Sequence, residues 1–66
     1  MKNKFIILSL TNSQWYSGYK NELYLFDGLD NAVQFSTYQE AENILEDLPI
    51  GIYQIDKIFI VDGIRV

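Results

Sequence analysis

The fold is decided by residues 36–49, which read Ser-Thr-Tyr-Gln-Glu-Ala-Glu-Asn-Ile-Leu-Glu-Asp-Leu-Pro. This stretch predicts one helix that begins near Tyr38. Thr37 and Glu40 fit a capping box, in which the Thr37 hydroxyl accepts a hydrogen bond from a first-turn amide and Glu40 reaches back to the cap amide. The helix ends by Pro49, because proline has no amide hydrogen and disfavours helical geometry in the residue before it.

The predicted helix has one apolar stripe and one acidic face. Apolar residues recur three and four positions apart, so they lie on one side of the helix: Ala41, Ile44, Leu45 and Leu48, the last in the final turn. The other side faces mostly water and carries Glu40, Glu42, Asn43, Glu46 and Asp47. A helix of this kind packs on a sheet by its stripe.

Residues 50–61 follow the helix as the longest β-like stretch, and we expect them to form the central strand. Side-chain alternation gives one face Tyr53, Ile55, Lys57, Phe59 and Val61, and the other Gln54, Asp56, Ile58 and Ile60. The second half is apolar on both faces, which predicts either a bulge near Asp56 or cover on both sides, for instance from another chain. Asp62-Gly63 predicts a turn, after which residues 64–66 fold back as a short strand.

The first half of the chain contains two further strands. Residues 4–10 match a strand buried on both faces, and residues 22–26 a second strand that the turn dipeptide Asp27-Gly28 stops. Between them, residues 11–21 are rich in turn-forming side chains and predict a loop. Residues 29–32 predict a single helical turn, and residues 33–35 either an edge strand or extended chain.

Together these elements predict an α+β fold: an antiparallel sheet of three or four strands, in the order β-β-(β)-α-β, with one helix packed on one face. A chain of 66 residues forms one domain, residues 1–66, since its core barely offsets the chain entropy lost on folding. Hydrophobic residues make up 48% of it, which predicts a packed core and not a disordered chain.

The composition argues against catalysis. Histidine, the usual proton carrier near neutral pH, and cysteine, the strongest nucleophile, are both absent. The glycines are isolated and form no phosphate-binding loop, and Asp27 and Asp30 lack the spacing of a calcium loop. We therefore expect a protein that is not an enzyme and has no catalytic residues, cofactor or metal site.

Charge and apolar runs limit the classes of partner. A net charge of −4 disfavours the phosphate contacts that dominate nucleic-acid affinity, so direct nucleic-acid binding is not expected. No apolar run approaches the ~20 residues needed to span a membrane. The apolar run within residues 2–10 is too short for a signal peptide, and the absence of cysteine fits a reducing cytoplasm.

Two groups of residues are candidates for binding a partner. Trp15, Tyr16 and Tyr19 lie in the predicted loop, and Trp and Tyr are enriched among interface hot spots. The alternative for Trp15 is that it covers the sheet as part of the core. The second group is the acidic helix face with Glu42 and Glu46, for which the alternative is an ordinary solvated surface.

Several short motifs run from Asp27 to Val61: an Asp-rich turn, Ala-x-x-Phe-Ser/Thr at residues 32–36, Glu-Ala in the helix at residues 40–41, and Tyr-Gln-Ile at residues 53–55. This pattern resembles one that is common among short uncharacterised bacteriophage proteins with a β-α-β core. It covers about half of the chain and has no catalytic residues to transfer. The resemblance implies a phage origin.

Small phage proteins with known roles commonly bind a host enzyme, polymerase or defence complex. The leading hypothesis is therefore a phage-encoded modulator or inhibitor that binds a host protein in the host cytoplasm. One alternative is a structural homo-oligomer subunit of a larger assembly, joined through the C-terminal strand. The other is an acidic nucleic-acid mimic that blocks a basic groove.

Overall fold

The computed structural model describes residues 2–61 and 64–65. Its elements are β1 (Lys2–Ser9), β2 (Gln14–Lys20), β3 (Leu23–Asp27), a 3-10 helix (Leu29–Asn31), α1 (Tyr38–Asp47), β4 (Tyr53–Val61) and β5 (Ile64–Arg65). The strands form one sheet in the order β3-β2-β1-β4-β5, and every neighbouring pair is antiparallel. The predicted α+β class is confirmed, as is the short final strand. The predicted Asp62-Gly63 turn and Val66 lie outside the described residues.

β1 is the central strand, which corrects the prediction that residues 50–61 would be. It lies between β2 and β4, and its side chains Ile6 and Ile7 are 1% and 0% exposed, so it is buried on both faces as expected. On the side away from β1, β4 pairs among the described residues only with β5, at Ile60 and Val61. Gln54 on β4 is exposed, which fits a strand near the margin of the sheet.

The prediction of a loop over residues 11–21 is wrong, because most of this stretch is β2. The turn residues act locally: Ser13, with φ of 56°, belongs to the tight turn after β1, and Gly18, with φ of 141°, lies at a β-bulge that shifts the register after Tyr16. A bulge inserts one residue without ending the strand. The turn-forming residues of this stretch therefore belong to a hairpin turn and a bulge, and not to a continuous loop.

The hairpin between β2 and β3 turns at Asn21 and Glu22, whose φ values are 53° and 65°. Two positive φ values are the geometry of a type I′ turn, which suits the twist of paired strands. Asp27-Gly28 instead leads into the predicted helical turn: the Asp27 carboxylate accepts hydrogen bonds from the Gly28 amide at 2.7 Å and the Asn31 side chain at 3.0 Å.

Residues 33–35 are extended chain inserted between β1 and β2. Phe5 and Phe35 exchange both backbone hydrogen bonds, at 2.9 and 2.8 Å, and the Val33 amide donates to the Tyr16 carbonyl at 2.9 Å. β1 and β2 pair directly only at Leu8–Ser9 with Gln14–Trp15, so they diverge beyond that point. Of the two alternatives for this segment, extended chain is therefore the observed one, and it lies inside the sheet.

The helix forms as predicted, with one change at its cap. The Thr37 hydroxyl accepts from the Glu40 amide at 3.2 Å, but it also donates to the Glu40 carboxylate at 3.2 Å, which replaces the expected contact from Glu40 to the cap amide. Leu48 is the C-cap residue. The stripe packs into the core with Ile7 and Tyr16, as the periodicity predicts: Ala41, Ile44, Leu45 and Leu48.

β4 pairs with β1 in unbroken register, from Tyr53 opposite Ser9 to Ile60 opposite Lys2. Of the two alternatives for this stretch, a bulge near Asp56 or cover on both sides, the bulge is absent from this ladder. The predicted assignment of side chains to the two faces of β4 is confirmed by this register for residues 53–59. Ile55 shares a face with Ile7 and the helix, and Asp56 shares the other with Ile6.

The bulge at Gly18 can be tested by comparing two glycines. Gly18→Ala should lower the free energy of unfolding by about 1–3 kcal/mol, because its φ of 141° lies in a region that L side chains rarely adopt, although the space for a Cβ is open. Gly28→Ala is the control, since its φ of −65° suits alanine and no atom lies within 4 Å of the added Cβ. That variant should be neutral or slightly more stable. Urea denaturation gives both values, and equal effects would contradict the assigned backbone strain.

Candidate protein-binding face

The register divides the sheet into two faces. The helix face is the one that α1 covers, and it includes Ile7, Tyr16, Phe26, Tyr53 and Ile55. We call the opposite one the far face, and strand alternation assigns it Lys4, Ile6, Leu8, Trp15, Gly18, Lys20, Leu23, Leu25, Asp27, Gln54, Asp56 and Ile58.

The three aromatic residues predicted to bind a partner do not form one patch. Trp15 lies opposite Leu8 on the far face and is half-buried. Tyr16 lies on the helix face and is 5% exposed, so it belongs to the core. Tyr19 would lie on the far face in a regular strand, but the bulge returns it to the helix face. There it is 57% exposed, and its ring centroid lies 4.7 Å from that of Tyr24.

Tyr16 is the centre of an aromatic cluster on the helix face. Its ring lies 6.1 Å from Phe35 in a stacked arrangement, 6.1 Å from Phe26 edge-on, and 6.4 Å from Tyr24. Burial raises the pKa of Tyr16, and the neighbouring Tyr24 raises it further. The pKa of Tyr24 is also raised, first by burial and then by the Asp47 carboxylate and Tyr19. The cluster stabilises the fold and leaves Tyr16 unavailable to a partner.

Glu42 and Glu46 lie one turn apart on α1, away from the far face. Glu46 is exposed and Glu42 is half-buried. With no basic residue in the last turn, the carboxylates of Glu46 and Asp47 lie near the negative end of the helix dipole, where they do not stabilise it. The acidic helix face and Trp15 are thus on opposite sides of the sheet, so the predicted residues divide between separate surfaces.

The far face exposes large apolar side chains that the sequence did not single out. Leu23 and Leu25 on β3 are 64% and 41% exposed. Leu10 and Ile52, which are 47% and 65% exposed, continue the β1–β4 ladder by one pair through a hydrogen bond of 2.9 Å from the Leu10 amide to the Ile52 carbonyl. Leu8, Trp15 and Ile58 are half-buried on the same face, and Ile6 at its centre is buried.

The signal for this face was present in the alternation of β3. Leu23 and Leu25 alternate with Tyr24 and Phe26, so both sides of the strand are apolar. Periodicity shows that two apolar rows exist, but it does not show which row the helix covers. The structure assigns the tyrosine and phenylalanine to the core and leaves the leucines exposed.

Three charged side chains on the far face have hydrogen-bond partners within the chain: Lys4, Asp27 and Asp56. The Gln54 amide donates to the Asp56 carboxylate at 2.6 Å, and the Lys4 ammonium donates to the Ser36 hydroxyl at 3.2 Å. Asp27 binds the start of the 3-10 helix, as described above. Within the described residues no three acidic side chains gather closely enough to hold a metal ion. The far face therefore combines exposed apolar side chains with a few charged ones.

Comparison of the chain with protein-family models, with curated proteins and with solved structures gives no match. Over residues 2–61 and 64–65, no helix is long and apolar enough to cross a membrane.

The tyrosine cluster predicts how stability depends on pH. Tyr16 and Tyr24 have a higher pKa in the folded state than their ordinary value of 10.0, so the folded protein holds these protons more tightly than the unfolded chain. The free energy of unfolding should stay level below about pH 10 and fall as the pH rises through the folded-state pKa. Urea denaturation between about pH 8 and pH 11 measures this decline.

Tyr24→Phe should reduce the decline, because it removes one of the two titrating hydroxyls and its repulsion of Asp47 and Tyr16. A decline as steep in this variant as in the wild type would show that other groups cause it.

Proposed function

We propose that the protein is a non-enzymatic binding module that docks its far face against an apolar surface of a partner protein. The observation that carries this proposal is the group of exposed apolar side chains on the far face: Leu10, Leu23, Leu25 and Ile52, beside half-buried Trp15. With strands about 4.8 Å apart and about 3.3 Å per residue, the four main strands present a face of roughly 400 Å². This is the area of the whole face with its charged side chains included, and exposed apolar side chains grouped on a small protein often mark an interaction surface.

The resemblance to short bacteriophage proteins supports a host protein as the partner and the host cytoplasm as the place of action. A module of this size acts on such a partner by occupying a surface, which makes modulation or inhibition the expected outcome. The absence of histidine and cysteine supports a role without chemistry of its own.

Two variants with the same change in charge distinguish the far face from the acidic helix face. Leu23→Lys with Leu25→Lys adds two positive charges to the far face, where both side chains are exposed and contribute little to the core. Glu46→Lys changes the net charge equally on the helix. Immobilised wild-type protein should retain a host protein from lysate that the leucine double variant loses and the Glu46→Lys variant keeps.

The opposite pattern, with retention lost only in Glu46→Lys and weakened by salt, would support a nucleic-acid mimic and overturn the far-face proposal. Circular dichroism of each variant shows that the fold is intact.

Trp15 supplies a direct measurement once the partner is purified. It is the chain's one tryptophan and is half-buried on the far face. Its fluorescence should shift to the blue on binding, because docking removes water from the indole. Trp15→Phe keeps an aromatic ring at the site and should still bind while the shift disappears. Saturable binding without any change in Trp15 fluorescence would place the contact elsewhere.

A further inference from the structure

The outer side of β4 is a free strand edge within the described residues. Among the described residues, β5 pairs with β4 only at Ile60 and Val61, and none of them pairs with Tyr53–Phe59 on that side. Unpaired strand edges are templates for pairing with another chain, and proteins usually protect them with charges. Lys57 is such a charge near the middle of the free stretch, with its ammonium 5.6 Å from the Phe59 ring centroid.

Hydrogen bonding to β1 fixes which backbone groups point to the free edge. The bond from Leu10 to Ile52 makes these two residues a hydrogen-bonded pair, and such pairs alternate along an antiparallel ladder. Gln54, Asp56 and Ile58 therefore bond to β1. The N–H and C=O groups of the alternate residues point outward: Tyr53, Ile55, Lys57 and Phe59. Consistent with this, Phe5 lies opposite Lys57 but forms its backbone N–H and C=O hydrogen bonds with Phe35.

We propose that a second copy of the chain pairs with this edge, β4 antiparallel to β4, with Ile55 opposite Ile55 of the second copy. In this register Tyr53 lies opposite Lys57 of the second copy. Residues whose backbone groups point outward therefore face each other and can exchange hydrogen bonds. On the far face it places Gln54 opposite Asp56, the two side chains that already form a hydrogen bond within one chain, and exposed Ile52 opposite Ile58.

Charge decides against the registers that move the centre of the pairing towards the C-terminal end of β4. Moving the centre of the pairing to Asp56 places two Asp56 carboxylates directly opposite each other, and moving it to Lys57 opposes two ammonium groups; both arrangements are destabilising. Moving it further, to Ile58, requires the space beside Ile60 that β5 occupies. The edge of β3 is the rival site, but it is a strand of five residues, and centring it on Leu25 sets Asp27 opposite Leu23.

The pairing joins the two sheets into one, with both helices on the same side and both far faces on the other. The combined far face measures roughly 800 Å², which is the area that one partner contributes to a standard protein interface. The dimer thus extends the surface in the proposed function, but it does not require the host partner. Leu23 and Leu25 lie at the opposite edge of the sheet, so the capture experiment gives its result whether or not the dimer forms.

Two exposed side chains at opposite edges of the sheet test the dimer. Sedimentation of the wild type should show a monomer–dimer equilibrium. Ile52→Lys should raise its dissociation constant by about tenfold or more, because it sets a charge opposite Ile58. Leu23→Lys is the matched control, since Leu23 is 64% exposed and Ile52 65%, and it should leave the equilibrium unchanged. A wild type that stays monomeric at millimolar concentration, or a dimer that only Leu23→Lys weakens, would overturn the proposal.

Disulfide trapping tests the register. Because the sequence has no native cysteine, any disulfide must join the introduced residues. A mixture of separately prepared Gln54→Cys and Asp56→Cys proteins should form a disulfide-linked heterodimer under mild oxidation. Each variant alone should remain largely unlinked, because neither cysteine then faces itself. Efficient self-linking of Asp56→Cys, with no heterodimer preference in the mixture, would overturn the pairing centred on Ile55.

Discussion

The backbone exchange between Phe5 and Phe35 is the contact on which the rest of the structure depends. β1 and β2 begin as a hairpin and then diverge, and the amide and carbonyl of Phe5 would be unpaired in the gap without the segment that contains Phe35. Buried backbone groups need partners, so this insertion stabilises the central strand. It also places Thr37 two residues later at the sheet, where the helix begins and crosses back over β1 and β4.

The same insertion organises the core. Phe35 stacks on Tyr16, which in turn contacts Tyr24 and Phe26 across the hairpin. On the same face Phe26 also stacks on Tyr53, which belongs to β4. Phe26 and Tyr53 lie on strands separated by β1 and β2, so the sheet must curve around its helix face to bring them within 6.1 Å. The curvature concentrates the aromatic side chains on one side and turns the far face outward.

A single helix cannot cover the apolar surface that this sequence contains. Among the described side chains four hydrophobic ones are buried, whereas nine large ones are exposed. The exposed set includes both leucines of β3 and the isoleucines after the helix. Small domains bury a smaller share of their surface than large ones do, but four of the nine exposed side chains lie together on the far face: Leu10, Leu23, Leu25 and Ile52. The imbalance leaves large apolar side chains exposed, including Leu23 and Leu25 on the far face.

The sequence by itself determined the helix, its cap and its stripe, because these depend on residues three and four apart within one segment. It also determined which side chains of β4 share a face, since alternation along a strand is local. Only the tertiary structure decided that β1 is central, that residues 14–20 form a strand, and that Trp15 and Tyr19 lie on opposite faces. Those outcomes depend on pairing between distant segments and on a bulge at Gly18, and local composition does not encode which of two apolar rows receives the helix.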